Sequence, residues 1–124
     1  MSGTTTKWKP KGRSRDLTGL GWLEAEILRV VWDKGEVTVR DAYEEIRLRR
    51  RIAYTTVMSV LRNLAAKDLL EQDKANSAYV YRPVVTDEEV ARGILDAVVE
   101  KIMGGNVEPL IAYLKSIKVK DKAS

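Results

Sequence analysis

The chain has 124 residues, 32% charged and 44% apolar, with a net charge of +4 and neither cysteine nor histidine. That length supports one domain, or one domain with a short extension, and a core that needs no covalent staple. The missing residue types exclude disulfides and thiolate chemistry, and they remove the usual zinc and copper ligands and the commonest general acid–base group. No Asp/Glu cluster has the spacing of a calcium loop, so no metal and no cofactor are expected. No apolar run approaches the ~20 residues of a membrane span, and no apolar stretch follows the basic start. The expectation is a cytoplasmic protein with no membrane partner.

Residues 1–16 are rich in Thr, Ser, Gly and Lys and carry Lys7, Lys9, Lys11, Arg13 and Arg15 against Asp16 alone. They are expected to form a disordered basic arm. From Leu20 the positions Leu20, Leu23, Ile27, Val30 and Val31 make one helical stripe, closed by Lys34-Gly35, with Trp32 as an anchor. Glu36 to Val39 reads as a short extended link. Thr38 with Asp41 three residues on resembles a capping box, and Val39, Ala42, Tyr43 and Ile46 give the second helix its face. That helix runs into Arg47, Arg49, Arg50 and Arg51.

A third helix begins near Tyr54. Val57, Val60, Leu61 and Leu64 form its core face, and Thr55, Thr56, Ser59, Arg62 and Asn63 form the opposite one. Two strand candidates follow, Leu69 to Lys74 and Ala78 to Pro83, around the turn Ala75-Asn76-Ser77. Thr86 and Glu89 make a full capping box for a fourth helix, in which Val90, Ile94, Val98 and Ile102 recur every four residues. Gly104-Gly105 ends it. A last helix over about Val107 to Ile117 offers Leu110, Ile111, Leu114 and Ile117, before a basic tail.

The fold expected is mainly α with a small β-hairpin. Three helices followed by a hairpin is the order of the winged helix-turn-helix, whose third helix enters the DNA major groove. The division expected is a basic arm at 1–16, a winged-helix DNA-binding domain at 17–85, a helical dimerisation region at 86–117 and a frayed tail at 118–124. Basic clusters on a near-neutral body suit a polyanion partner, or a solubilising tail and a solvated helix end.

The segment from Ala53 to Leu61, AYTTVMSVL, resembles the recognition helix of the penicillinase-repressor family, often called BlaI/MecI. Other pieces agree in order and spacing: Leu23 to Leu28 with Val31-Trp32, Thr38 to Asp41, Tyr79 to Pro83, and Gly104-Gly105 followed by Leu110-Ile111. The resemblance spans about Leu20 to Leu114. It implies a homodimeric winged-helix repressor of bacterial type that binds pseudo-palindromic operators. A symmetric dimer by itself requires a palindromic site.

Under this reading Thr55, Thr56, Met58 and Ser59 meet bases and backbone, with Arg62 and Asn63 beside them. Arg49, Arg50 and Arg51, with Arg47, flank the duplex and neutralise phosphates. Lys74 and Ser77, with Asn76, are wing contacts. The plainer alternatives are N-cap duty for the threonines, core filling for Met58, a solvated turn for the arginines, and Tyr54 as a pin for the helix start. Val90, Ile94, Val98, Ile102, Leu110 and Leu114 are expected at the dimer interface, the other choice being to fold back on their own winged helix.

Three positions depart from the family pattern. Asn63 stands where arginine is usual, Asn76-Ser77 where Gly-Arg is usual, and Asp68 where glycine is common. The family's protease-sensitive Asn-Phe bond has no counterpart at Tyr113-Leu114, and the C-terminal cysteines of its metal-responsive branch are absent. Neither switch carries over. Two other functions fit the fold: a protein-recognition module with no specific DNA role, and sequence-independent DNA binding. The first expects an acidic or apolar third-helix face, which this chain lacks. No Ser-His-Asp or Cys-His set, phosphate loop or HExxH motif is present, so an enzyme is not expected.

Overall fold

The computed structural model describes residues 20–75 and 78–117. The expected arm, the expected tail and the wing residues Asn76 and Ser77 lie outside the described residues. The elements run α1 (Trp22–Lys34), β1 (Val37–Thr38), α2 (Val39–Ile46), α3 (Tyr54–Ala66), β2 (Leu70–Ala75), β3 (Ala78–Pro83), α4 (Asp87–Lys101) and α5 (Glu108–Ser116). Each expected helix is present to within two residues.

Local chemistry accounts for the ends. Gly35 stops α1 with φ at 88° and its N–H on the Val31 carbonyl at 2.8 Å. Thr38 Oγ1 accepts from Asp41 N at 3.0 Å while Asp41 Oδ2 accepts from Thr38 N at 3.0 Å. Thr86 and Glu89 repeat that reciprocal pair at the start of α4. Helix α3 closes differently. Leu69 N–H reaches the Leu64 carbonyl and Asp68 N–H the Ala65 carbonyl, both at 3.0 Å, with Asp68 left-handed at φ 64°. This is a Schellman closure, and its companion apolar contact is supplied by the fully buried Leu64 and Leu69. The left-handed backbone gives the physical reason why glycine suits position 68.

The sheet has three antiparallel strands in the order β1-β3-β2. The link expected to be merely extended is therefore a strand: Val37 pairs with Tyr81 and Thr38 with Val80. In the hairpin, Gln72 faces Tyr81 and Lys74 faces Tyr79. Tyr81 is buried in the core, whereas Tyr79, nearer the tip, is 44% exposed.

One core joins all of this. Ile27, Leu28 and Val31 of α1 meet Ala42 and Ile46 of α2, Val57, Leu61 and Leu64 of α3, and Val37, Leu69, Leu70 and Tyr81 around the sheet. Val90 belongs to the same core at 4% exposure, and Ile94 packs against it. The first turns of α4 thus belong with the winged body. Beyond them the apolar residues lie open: Ile102, Ile111, Tyr113, Leu114 and Ile117 are exposed, and α5 buries no side chain within the protomer.

Candidate nucleic-acid interface

Helix α3 is anchored by Val57, Val60, Leu61 and Leu64, so its other side must face outward. Thr55, Thr56, Ser59, Arg62 and Asn63 are all exposed on that side. At 3.6 residues per turn they form a single arc, with Ala66 between them. No aspartate or glutamate occurs between Tyr54 and Ala66. Met58 is half-buried at the margin of the arc, between core and surface.

The N-cap of α3 is Ala53, and no side chain caps the helix. Thr55 and Thr56 therefore do not serve as caps, and their hydroxyls are left to face solvent. The helix start is held by stacking instead. The Tyr54 ring meets the Tyr43 ring of α2 edge to face at 5.4 Å between centroids. The Arg47 guanidinium also lies over the Tyr43 ring, at 5.6 Å from its centroid. Tyr54 is thus a pin between helices.

Arg62 is exposed, yet it also makes a side-chain hydrogen bond with Tyr81 of β3. Burial pushes the Tyr81 phenol above its ordinary pKa, and the Arg62 guanidinium pulls it partly back. The contact links Arg62 to the wing. At the wing, Lys74 is exposed with its ammonium 5.7 Å from the Tyr79 ring. On the far side of the hairpin Arg82 collects Glu36, Glu71 and Asp73 at 3.1, 3.4 and 3.2 Å. That cluster ties β1, β2 and β3 together, and its carboxylates hold the guanidinium pKa above its usual value, chiefly through the bond to Asp73.

The arginine run does not behave as one unit. Arg47 pairs with Glu44 at 3.2 Å. Arg50 Nη2 lies 2.8 Å from Glu26 Oε1, and Arg49 lies 3.6 Å from Glu26 Oε2 and 3.2 Å from Glu45. Arg51 is exposed and pairs with no acid among the described residues. Charge density alone groups Arg49 and Arg50 with Arg51 and does not point to Glu26. The available signal was an acid set against Ile27 and Leu28 in an otherwise apolar stretch.

A three-helix core with a β-hairpin wing and an outward third helix defines a winged helix-turn-helix protein. The family model described as penicillinase repressor matches residues 20–122. The chain belongs to the penicillinase repressor family, a family of transcriptional regulators rather than enzymes. It is 36% identical over 99 residues to the transcriptional regulator BlaI of Mycobacterium tuberculosis, a match covering 78% of this chain and 72% of that protein. A 16.5 kDa protein of Latilactobacillus sakei is 25% identical over 81 residues, 65% of this chain and 56% of the other. The solution structure of the DNA binding domain of the repressor BlaI superposes with a TM-score of 0.53 at 18% identity, covering 61% of this chain and 93% of that one. This last likeness concerns the fold.

Proposed function

We propose that the protein is a homodimeric repressor that reads a pseudo-palindromic operator with α3. The observation that carries this is the exposed, acid-free arc of Thr55, Thr56, Ser59, Arg62 and Asn63, set on a helix whose other side is locked in the core. Hydroxyls and an amide can donate and accept at base edges, a threonine methyl can pack on thymine, and Arg62 can reach a guanine or a phosphate. Lys74 and Ser77 serve the backbone from the wing, and cations of the α2–α3 turn serve it from the other flank. The M. tuberculosis relative is named a transcriptional regulator, and the solved fold relative is a DNA binding domain, which favours the same reading.

The dimer rests on the apolar surface that α4 and α5 leave open. Val98 is half-buried, while Ile102 and Leu114 are 57% and 50% exposed, and Leu110 is half-buried. Each of the four is already about half-buried or more, so covering what remains is worth about 3–6 kcal/mol per chain before entropy is subtracted. Val90 and Ile94 already serve the protomer's own core, so the interface begins further along α4. We assign 17–85 to DNA and 86–117 to dimerisation with that overlap, and the operator is met in the cytoplasm.

The function is tested by mobility shift of the full chain on duplexes selected from a random pool and on mixed-sequence competitor, at several salt concentrations. The expected result is discrimination of ~10³ or more and affinity that falls steeply with salt. Equal affinity for both duplexes contradicts operator reading. Binding to neither contradicts a DNA role.

A further inference from the structure

Resting on that reading of α3, we propose that Glu26 is a positioning residue for the DNA interface. It holds Arg49 and Arg50 as internal partners and leaves Arg51 as the cation of the run that meets phosphate.

Glu26 sits on α1 with only 11% of its side chain exposed. A carboxylate that dry is retained only when it is paired. Both oxygens face cations: Oε1 meets Arg50 Nη2 at 2.8 Å and Oε2 meets Arg49 Nη1 at 3.6 Å. Arg49 continues the chain through Nη2 to Glu45 Oε2 at 3.2 Å, and Glu45 also faces Lys34 Nζ at 3.8 Å. Five charges from α1, α2 and the turn thus form one network. The backbone cooperates, since Arg49 and Arg50 both donate their N–H to the Ile46 carbonyl, at 2.8 and 3.1 Å.

The network matters because the entry of α3 has no capping side chain. What sets the angle of the recognition helix is the turn that precedes it, held at Glu26 and again at the Tyr43–Tyr54 ring pair. Arg49 and Arg50 also already have carboxylate partners, with side chains that stay 43% and 50% exposed. For either to neutralise a phosphate, an ion pair in a partly dry site must first break. Arg51 carries no such cost among the described residues.

Three variants of the full chain separate these roles, read by fluorescence anisotropy against salt on a selected duplex and on a mixed-sequence duplex. Arg51→Gln reduces the slope of log K against log salt by about one on both duplexes. Arg50→Gln leaves the slope unchanged and lowers selected-duplex affinity about tenfold while mixed-sequence affinity holds; Arg50→Lys, which keeps a charge opposite Glu26, restores the discrimination. Glu26→Gln releases Arg50 and leaves Arg49 with Glu45 alone, so mixed-sequence binding tightens, its slope steepens by about one, and discrimination falls at least about fivefold. Equal loss of slope in Arg50→Gln and Arg51→Gln overturns the proposal, as does a Glu26→Gln protein with unchanged slope and discrimination. Both arginines are exposed, so their variants report even if Glu26→Gln fails to fold. A wild-type chain that binds neither duplex overturns the function itself and this inference with it.

Discussion

The indole N–H of Trp32 donates to the Val85 carbonyl at 2.9 Å. One residue closes α1 and the other immediately precedes the N-cap of α4. The bond therefore ties the start of α4 to the winged body, across 53 positions of sequence. A partly buried hydrogen bond of this kind contributes about 1 kcal/mol, and more if its acceptor is left dry. Trp32→Phe keeps most of the apolar contact and removes the donor. Chemical denaturation of that variant is expected to show a loss of about 1–2 kcal/mol with the fold retained. An unchanged midpoint means the bond holds nothing.

The open apolar side chains of α4 and α5 make a sharper prediction. Ile102→Asp or Leu114→Asp places a charge where a second chain is proposed to pack, at positions that the protomer core does not use. Light scattering is expected to report monomers with an unchanged far-ultraviolet spectrum, binding a half-site weakly. Dimers that survive both substitutions place the interface elsewhere. The same substitution at Val90 is expected to unfold the winged body, because that side chain is 4% exposed.

Asp68 holds a left-handed backbone at φ 64°. For a residue with a Cβ this region costs about 1–2 kcal/mol, least for Asp and Asn. The expected order of stability at this position is Gly at or above Asp, then Ala, then Val, with Val about 1–2 kcal/mol below wild type. Thermal denaturation of the series checks it, and a Val variant as stable as wild type contradicts the Schellman geometry.

Burial raises the Tyr81 phenol above its ordinary pKa of 10.0, with Arg62 opposing. A raised folded-state value means the neutral phenol's contribution is complete below the unfolded pKa of about 10 and is lost as pH rises from there through the folded value. Stability of the wild type is expected to fall above about pH 10 more steeply than that of Tyr81→Phe. Parallel pH curves for the two proteins exclude the effect. Tyr81→Phe also frees Arg62 from its wing contact, so a broadened base preference opposite Arg62 is expected in a selection experiment.

The helices and hairpin were legible because their signals are local. The Thr38–Asp41 and Thr86–Glu89 boxes are spacing rules, and the two-sided pattern of Tyr54–Ala66 follows from helical period. Strand β1 escaped notice since two residues cannot show alternation, and only pairing with Tyr81 and Val80 makes them a strand. The pairing within the arginine run was hidden for a related reason. Charge density is visible in sequence, but the carboxylate that pairs with Arg49 and Arg50 lies on α1, more than twenty positions earlier. Val90 looked like the first member of a dimer stripe, yet periodicity gives a face and not its occupant. The first turn of α4 lands on its own core, and the apolar surface left open starts later.

Helix α3 is proposed to read a palindromic operator as one half of a dimer. Selection of bound duplexes from a random pool by the full chain tests it most directly. Enrichment is expected of an inverted repeat whose half-sites are about one helical turn apart, the spacing two symmetric recognition helices impose. A non-palindromic consensus, or a bound pool no different from the starting one, contradicts it.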